Sequence, residues 1–166
     1  RAGAGFSPHS HRDMEIVTWV LSGALEHRDS AGNHGIIVPG AAQRMSAGRG
    51  ITHSEMNASQ VDDVHFVQMW VLPDTLGVEP GYEQRDVGDA LDRGELVPVA
   101  SGRHPDAAVH IHQRDATLWA ARVAASDSVT VPDDGHVHVF VPIGGGDLDD
   151  AGALHTGDAV RLTAAG

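Results

Sequence analysis

The feature that most constrains this chain is the recurrence of short stretches rich in Val, Ile, Thr and Trp between clusters of Gly, Pro, Asn and Asp. Residues 15–21, Glu-Ile-Val-Thr-Trp-Val-Leu, are the clearest such stretch and end at Ser22-Gly23. Residues 29–33 have the composition of a hairpin turn. Alternating β-prone runs and turns are typical of a sandwich or barrel of strands. The sequence therefore predicts an all-β fold.

The predicted strands form two blocks along the chain. An irregular, charged segment between Pro73 and Gly94 separates the blocks, and we interpret it as a linker or crossover. The predicted domains are therefore residues 1–94 and 95–166, and their similar order of strands and turns suggests an internal duplication. The second block closes soon after a strand, so we expect it to be short or incomplete. The further strand candidates are 24–28, 35–38, 64–72, 96–100, 108–112, 117–124, 128–131, 136–143 and 159–163.

The amino-acid composition excludes several types of site and argues against several types of binding partner. The 166 residues include no cysteine, which excludes disulfides, cysteine nucleophiles, iron–sulfur clusters and Cys-ligated zinc. A formal net charge of −12 would repel phosphate backbones and anionic lipid, so we expect no direct nucleic-acid partner and no membrane attachment. We also expect no secretory signal and, by default, a cytoplasmic location. Twelve histidines against 11 Lys and Arg direct attention to metal or proton chemistry.

Two short motifs concentrate metal-binding side chains. His9 and His11 form a His-x-His pair before the first clear strand, and His53 and Glu55 form a His-x-Glu pair some forty residues later. Residues i and i+2 of an extended chain point to the same face, so each pair can converge on one point. Three imidazoles and one carboxylate suit a divalent first-row metal with open coordination positions. The alternative is that these are surface histidines, or core histidines bonded to backbone.

These motifs carry a resemblance to a known family. Gly3-x5-His9-x-His11-x3-Glu15, followed by Gly23, resembles the first cupin motif, and Gly50-x2-His53-x3-Asn57 resembles the latter half of the second. Residues 5–35 and 47–57 more specifically resemble the pirin family of bicupins, as do Gln-Met-Trp-Val-Leu-Pro at 68–73 and Pro-x-Tyr at 80–82. The resemblance is strong over about residues 5–85 and weaker, but collinear, to the end of the chain.

The resemblance implies two tandem cupin jelly-roll β-barrels, with one metal ion in the first and none in the second. It places the ligands on His9, His11, His53 and Glu55. Fe²⁺ is the expected ion, with Mn, Ni, Cu, Co and Zn as alternatives. It also implies that Glu15 is not a ligand, so we expect this residue to make a salt bridge or a supporting hydrogen bond.

The resemblance further implies a metal-dependent dioxygenase of the quercetinase type, which opens a flavonol-like or other enolisable aromatic substrate with O₂. Glu55 would then also act as the general base that accepts the substrate hydroxyl proton. The alternative is a non-catalytic metal-binding protein that regulates a protein partner, and the motifs do not separate the two. A metal-assisted isomerase or sugar-modifying cupin fits less well, because the pirin signature is more specific.

Other side chains have weaker functional signals. Phe6, Met14, Phe66, Gln68 and Trp70 are candidates for the barrel lining, although ordinary core packing is the stronger alternative for apolar residues. The His-x-His pairs at 110–112 and 136–138 have no glycine-flanked partner motif. We interpret them as solvent-facing or backbone-bonded histidines.

Overall fold

The computed structural model describes residues 1–163 and contains, in that range, 15 strands and one short helix. The prediction of an all-β fold is confirmed. The helix α1 spans Gly88–Asp92. The strands are β1 Gly5–His11, β2 Glu15–Ser22, β3 Leu25–Asp29, β4 His34–Ile37, β5 Ala41–Ser46, β6 Ile51–Asn57, β7 His65–Val71, β8 Gly81–Asp86, β9 Val97–Ser101, β10 Val109–His110, β11 Thr117–Ala120, β12 His136–Phe140, β13 Gly145–Leu148, β14 Gly152–His155 and β15 Ala159–Thr163.

The chain divides into two compact units, Arg1–Val129 and the residues from Thr130 onward. The first unit contains two four-stranded antiparallel sheets, in the orders β1-β6-β3-β4 and β7-β2-β5-β8, and a three-stranded sheet in the order β10-β9-β11. The two larger sheets fit a cupin jelly roll. The second unit contains two antiparallel ribbons, β12-β15 and β13-β14. The boundary predicted at 94/95 separates two cupin barrels, whereas these units are defined by compactness alone. That boundary therefore stays a prediction.

Strand β2 is covered on both faces. Val20 lies in one apolar cluster with Leu25 of β3, so this face packs against the first four-stranded sheet. Val17 points to the opposite face and lies in a cluster with Val99 of β9. Residues from the predicted second block therefore contribute to the core of the first compact unit.

Several strand predictions differ from the structure. Residues 128–131 form no strand, and only Val109 and His110 of the predicted strand 108–112 are paired. Strand β8 lies inside the predicted linker and pairs with β5. The sequence of β8, Gly-Tyr-Glu-Gln-Arg-Asp, has no alternation of apolar and polar residues. It still forms a strand because it lies at the edge of the sheet, where it pairs with β5. Over residues 1–163 no helix is long and apolar enough to cross a bilayer.

Candidate metal centre

The pairing of β1 with β6 brings the two predicted motifs together. His9 lies opposite His53 in the antiparallel register, and the register shifts between Phe6 and His9. Because i and i+2 share a face, His11 and Glu55 project on the same side of this sheet as their partners in each motif. Long-range strand pairing thus places side chains from both motifs around one point.

Three of the four predicted ligands form a close group. The ring nitrogens that His9, His11 and His53 offer lie within 4.8 Å of one another. The Nε2 atoms of His9 and His53 are 3.0 Å apart. The ring of His11 is 4.9 Å from that of His9 and 5.1 Å from that of His53, between centroids. Glu55 belongs to a second group of the same spacing, with His53 and His27. The four predicted side chains are therefore distributed over two groups that share His53.

The hydrogen bonds of the imidazoles fit a bound cation. His9 Nδ1 lies 2.7 Å from the carbonyl oxygen of Ser7, which can only accept, so Nδ1 carries the proton and Nε2 of neutral His9 carries a lone pair. The Nε2 atom of His11 is buried and has no hydrogen-bond partner in the described residues. A buried nitrogen without a partner costs free energy unless something binds it. A divalent metal ion would supply that partner, and this donor set fits one.

Burial and neighbouring imidazoles disfavour protonation of two of these histidines, His53 and His11. Burial, followed by the neighbouring His27, His9 and His11, lowers the pKa of His53 from 6.5 to about 3. Burial and then His9 lower the pKa of His11. Because metal and proton compete for the same nitrogen, a lowered pKa leaves the lone pairs free at neutral pH.

The lowered pKa of His53 predicts how the stability of the metal-free protein depends on pH. Between about pH 6.5 and 3 the unfolded chain takes up a proton at His53 that the folded chain does not. The free energy of unfolding should therefore fall as pH falls through this window, by up to about 1.4 kcal/mol per pH unit from this group. Urea denaturation in EDTA between pH 7 and 4 measures the slope. The variant His53→Gln should have a shallower slope.

A matched control is His65→Gln, since His65 is an exposed histidine on β7. It should keep the wild-type slope. Equal slopes in wild type and His53→Gln would show that His53 is not the group that resists protonation in the folded state.

Glu55 is buried and held by side chains of the facing sheet. The amide Nε2 of Gln68 donates to both carboxylate oxygens, at 2.9 and 2.8 Å, and the hydroxyl of Thr18 lies 3.5 Å from one of them. Trp70 Nε1 donates to Gln68 Oε1 at 3.2 Å. Because an indole N–H can only donate, this contact fixes the orientation of the Gln68 amide. Gln68 therefore presents its NH₂ group to Glu55.

Sequence reasoning missed His27 and Asp29 on β3. In the register of β3 with β6, His27 lies opposite Glu55 and Asp29 lies opposite His53. Burial opposes ionisation of Asp29, but hydrogen bonds from Asn33 and His27 lower its pKa overall. The signal was present in the sequence, because His27-x-Asp29 is a third pair with the same i, i+2 spacing as the two motifs above.

Two of the five lining candidates lie beside the imidazoles, and both are exposed. Phe6 is 53% exposed and its ring centroid is 6.3 Å from that of His9. Trp70 is 58% exposed and meets His11 edge to face at 5.0 Å. Gln68 contacts Glu55, as described. Met14 and Phe66 instead pack against the apolar clusters of Ile16 and Val20, which is the core-packing alternative.

Glu15 makes the contacts expected of a supporting residue. It is buried, accepts a hydrogen bond from the hydroxyl of Ser46 at 2.8 Å, and pairs with Nδ1 of His112 at 3.2 Å. His110 is exposed. Over residues 1–163, none of the histidines at 110, 112, 136 and 138 joins a group of metal-binding spacing.

Comparison with known proteins agrees with this geometry. Residues 1–71 match the family model described as Pirin. A crystal structure of the Escherichia coli pirin YhhW in complex with nickel(II) superposes with a TM-score of 0.85 at 33% identity, over 98% of this chain and 69% of that one. The chain belongs to the pirin family. The predicted family and fold class are thus confirmed.

Two curated relatives of this pirin carry the name of an enzyme. A Mycobacterium tuberculosis protein provisionally named a quercetin 2,3-dioxygenase is 54% identical over 161 residues, which are 96% of this chain and 66% of that protein. The E. coli K12 quercetin 2,3-dioxygenase is 46% identical over 112 residues, which are 68% of this chain and 47% of that protein. This chain therefore spans about two thirds, or less, of the length of these relatives.

Proposed function

We propose that this pirin binds one divalent metal ion through His9, His11, His53 and Glu55, and that with Fe²⁺ it opens a flavonol-like or other enolisable aromatic substrate with O₂. The observation that carries the proposal is the convergence of three imidazole nitrogens on one point. One of them, the buried Nε2 of His11, has no hydrogen-bond partner within residues 1–163. The nickel complex of YhhW and the enzyme names of the two curated relatives support it.

The charge of the site favours an anionic, bidentate substrate. Three neutral imidazoles and one carboxylate leave a divalent ion with a net charge of about +1. A deprotonated flavonol presents two adjacent oxygens with a negative charge and matches this requirement. When bound, a ferrous ion supplies Lewis-acid attraction for these oxygens and the redox chemistry with O₂.

The exposed aromatic side chains favour a planar substrate. Phe6 and Trp70 stand beside His9 and His11, with more than half of each side chain exposed. Large exposed aromatic groups next to a polar site provide apolar contact area for a ring system. A flat aromatic substrate can contact these rings while its oxygens reach the imidazole cluster.

Glu55 is the proposed general base. It is a buried carboxylate within 4.8 Å of the ring nitrogens offered by His53 and His27. Gln68 donates to both of its oxygens, which orients the carboxylate and keeps it as an acceptor. A hydroxyl group of the substrate placed at this cluster would deliver its proton to Glu55, and the Gln68 amide would hold the carboxylate in position.

Oxygen uptake tests this proposal directly. The purified protein is loaded anaerobically with Fe²⁺, mixed with quercetin and oxygenated buffer, and followed with an oxygen electrode. Wild type should consume oxygen, and Glu55→Gln should be slower by about 10²- to 10⁴-fold because its amide cannot accept the proton. The matched control is Glu26→Gln, on the neighbouring strand β3, where Glu26 pairs with Arg28 and His34 away from the cluster.

Two outcomes would contradict the proposal. Equal oxygen uptake by wild type and Glu55→Gln would remove Glu55 as the base. Iron-loaded wild type that consumes no oxygen with quercetin would remove the dioxygenase function and leave the alternative of a metal-binding regulator with a protein partner.

A further inference from the structure

A histidine and a carboxylate lie directly behind His53. His27 is fully buried, and its Nε2 atom is 3.2 Å from Oδ2 of Asp29, whose side chain is also fully enclosed. On the other edge of the ring, Nδ1 of His27 is 3.5 Å from Nδ1 of His53, at the long end of hydrogen bonding. Asp29, His27 and His53 therefore form a row that ends at the metal cluster.

Asp29 is held as a hydrogen-bond acceptor by the turn that follows β3. Its Oδ1 accepts from the backbone N–H groups of Ala31 and Asn33, at 3.0 and 2.9 Å. Its Oδ2 accepts from the side-chain amide of Asn33 at 2.9 Å. Since every one of these partners donates, the carboxylate is ionised, and the contact with His27 requires a proton on Nε2 of His27.

The proton on Nε2 of His27 determines which nitrogen of His53 carries a proton. In the neutral form of His27 the proton on Nε2 is its only one, so Nδ1 is then an acceptor. His53 must then donate from its own Nδ1, which leaves the lone pair on Nε2. That Nε2 atom lies 3.0 Å from Nε2 of His9, on the side where the three imidazoles converge.

We propose that Asp29 and His27 form a relay that fixes His53 in its Nδ1–H tautomer and so directs the Nε2 lone pair of His53 toward the metal position. His27 is a positioning residue in this arrangement and does not bind the metal. The inference rests on the metal site of the proposed function and is independent of turnover.

The surroundings of His27 keep it in this role. Its ring lies against that of Tyr82, with centroids 4.9 Å apart and planes tilted by 34°. The hydroxyl of Tyr82 donates to Oε1 of Gln84 at 2.7 Å, which anchors this tyrosine. Both ring nitrogens of His27 already face a partner, Asp29 on one side and His53 on the other. A metal ion bound by His27 would have to displace one of them.

Two substitutions of His27 distinguish the effect of losing its hydrogen bond to His53 from the effect of losing its side-chain volume. His27→Phe keeps an aromatic ring against Tyr82 but offers no acceptor to His53. His27→Asn places a carbonyl oxygen near the former position of Nδ1, so it can still accept. Asp29 is a less suitable target, because it also holds the turn through Ala31 and Asn33.

Metal affinity is the first measurement. Titration calorimetry with Zn²⁺ should show that His27→Phe binds about 10- to 100-fold more weakly than wild type, the usual effect of losing a group that orients a metal ligand. His27→Asn should recover a large part of the loss. His34→Phe is the matched control, since His34 is an exposed histidine on the adjacent strand β4, and it should bind as wild type does.

Nitrogen-15 correlation spectra of the zinc-loaded wild-type protein test the tautomers without any substitution. The expected result is a proton on Nε2 of His27, a proton on Nδ1 of His53, and zinc on Nε2 of His53. A proton on Nδ1 of His27, or a zinc-bound nitrogen of His27, would overturn the relay. Because it uses only the wild-type protein, this measurement tests the relay even if a variant of His27 does not fold.

Zinc binding by wild type and by His27→Phe distinguishes failure of the metal site from failure of the relay. Wild type that takes up no zinc removes the proposed metal site and the relay with it. Zinc uptake that is equal in wild type and in folded His27→Phe removes the relay alone and leaves the metal site.

Discussion

Replacing His53 with alanine should lower the affinity of the protein for a divalent first-row metal ion by more than about a hundredfold. His53 belongs to both groups of potential ligands, and its Nε2 atom faces that of His9 at 3.0 Å. Four-ligand structural zinc sites bind with about 10–16 kcal/mol, so one ligand in four contributes about 3 kcal/mol. A loss of this size is roughly a hundredfold or more in Kd. Titration calorimetry of the metal-free protein with Ni²⁺ or Zn²⁺ measures it.

The matched control is His138→Ala, which removes a histidine from the His-x-His pair on β12. It should bind metal as wild type does, because over residues 1–163 that pair joins no group of metal-binding spacing. Since His53 is 2% exposed, its replacement also leaves a cavity, and His9→Ala is a second variant at a half-buried position. Unchanged affinity in both folded variants would contradict ligation by histidine.

The parts of this site that the sequence predicted are those set by local geometry. His9 with His11, and His53 with Glu55, share a face because strands have a period of two, and both segments are strands in the structure. The strand at 15–21 was also predictable, because its apolar, β-branched residues leave few alternatives.

The parts that the sequence did not predict depend on pairing between distant strands. Nothing in residues 25–29 alone shows that β3 lies beside β6, yet this register places His27 opposite Glu55. The contact between Gln68 and Glu55 likewise depends on the packing of two sheets. Strand β8 was read as linker because Glu83 and its neighbours are polar, whereas Glu83 pairs with Arg44 of β5.

Because strand pairing is not visible in the sequence, the metal ligands could be predicted but the residues that contact them could not. A ligand motif is recognisable because its chemistry requires particular side chains at a fixed spacing. A residue such as His27 acts through another side chain, and its role is visible only when the partner strand is in place. For Glu15 the supporting role was predicted, but its partner was not, because His112 lies almost a hundred residues away in the sequence.

Replacing Gly5 with alanine should destabilise the protein by about 3 kcal/mol or more and also weaken metal binding. Gly5 pairs with Met56 across β1 and β6. A Cβ atom at position 5 would lie 2.2 Å from the carbonyl oxygen of Glu55 and 2.6 Å from Cα of Met56. Both are backbone atoms of β6 and cannot rotate away, so the two strands must separate. Forced overpacking of this kind lies at or beyond the upper end of the usual cost of 1–3 kcal/mol.

Metal affinity should fall as well, because β1 carries His9 and His11 while β6 carries His53. Thermal denaturation should show a melting temperature lower by roughly 6–12 °C, at about 2–4 °C per kcal/mol for a chain of this size. The matched control is Gly135→Ala, where a Cβ meets nothing within 4 Å and the expected change is within about 0.5 kcal/mol. Wild-type stability and wild-type metal affinity in Gly5→Ala would contradict the close approach of β1 to β6, and with it the convergence of the two motifs.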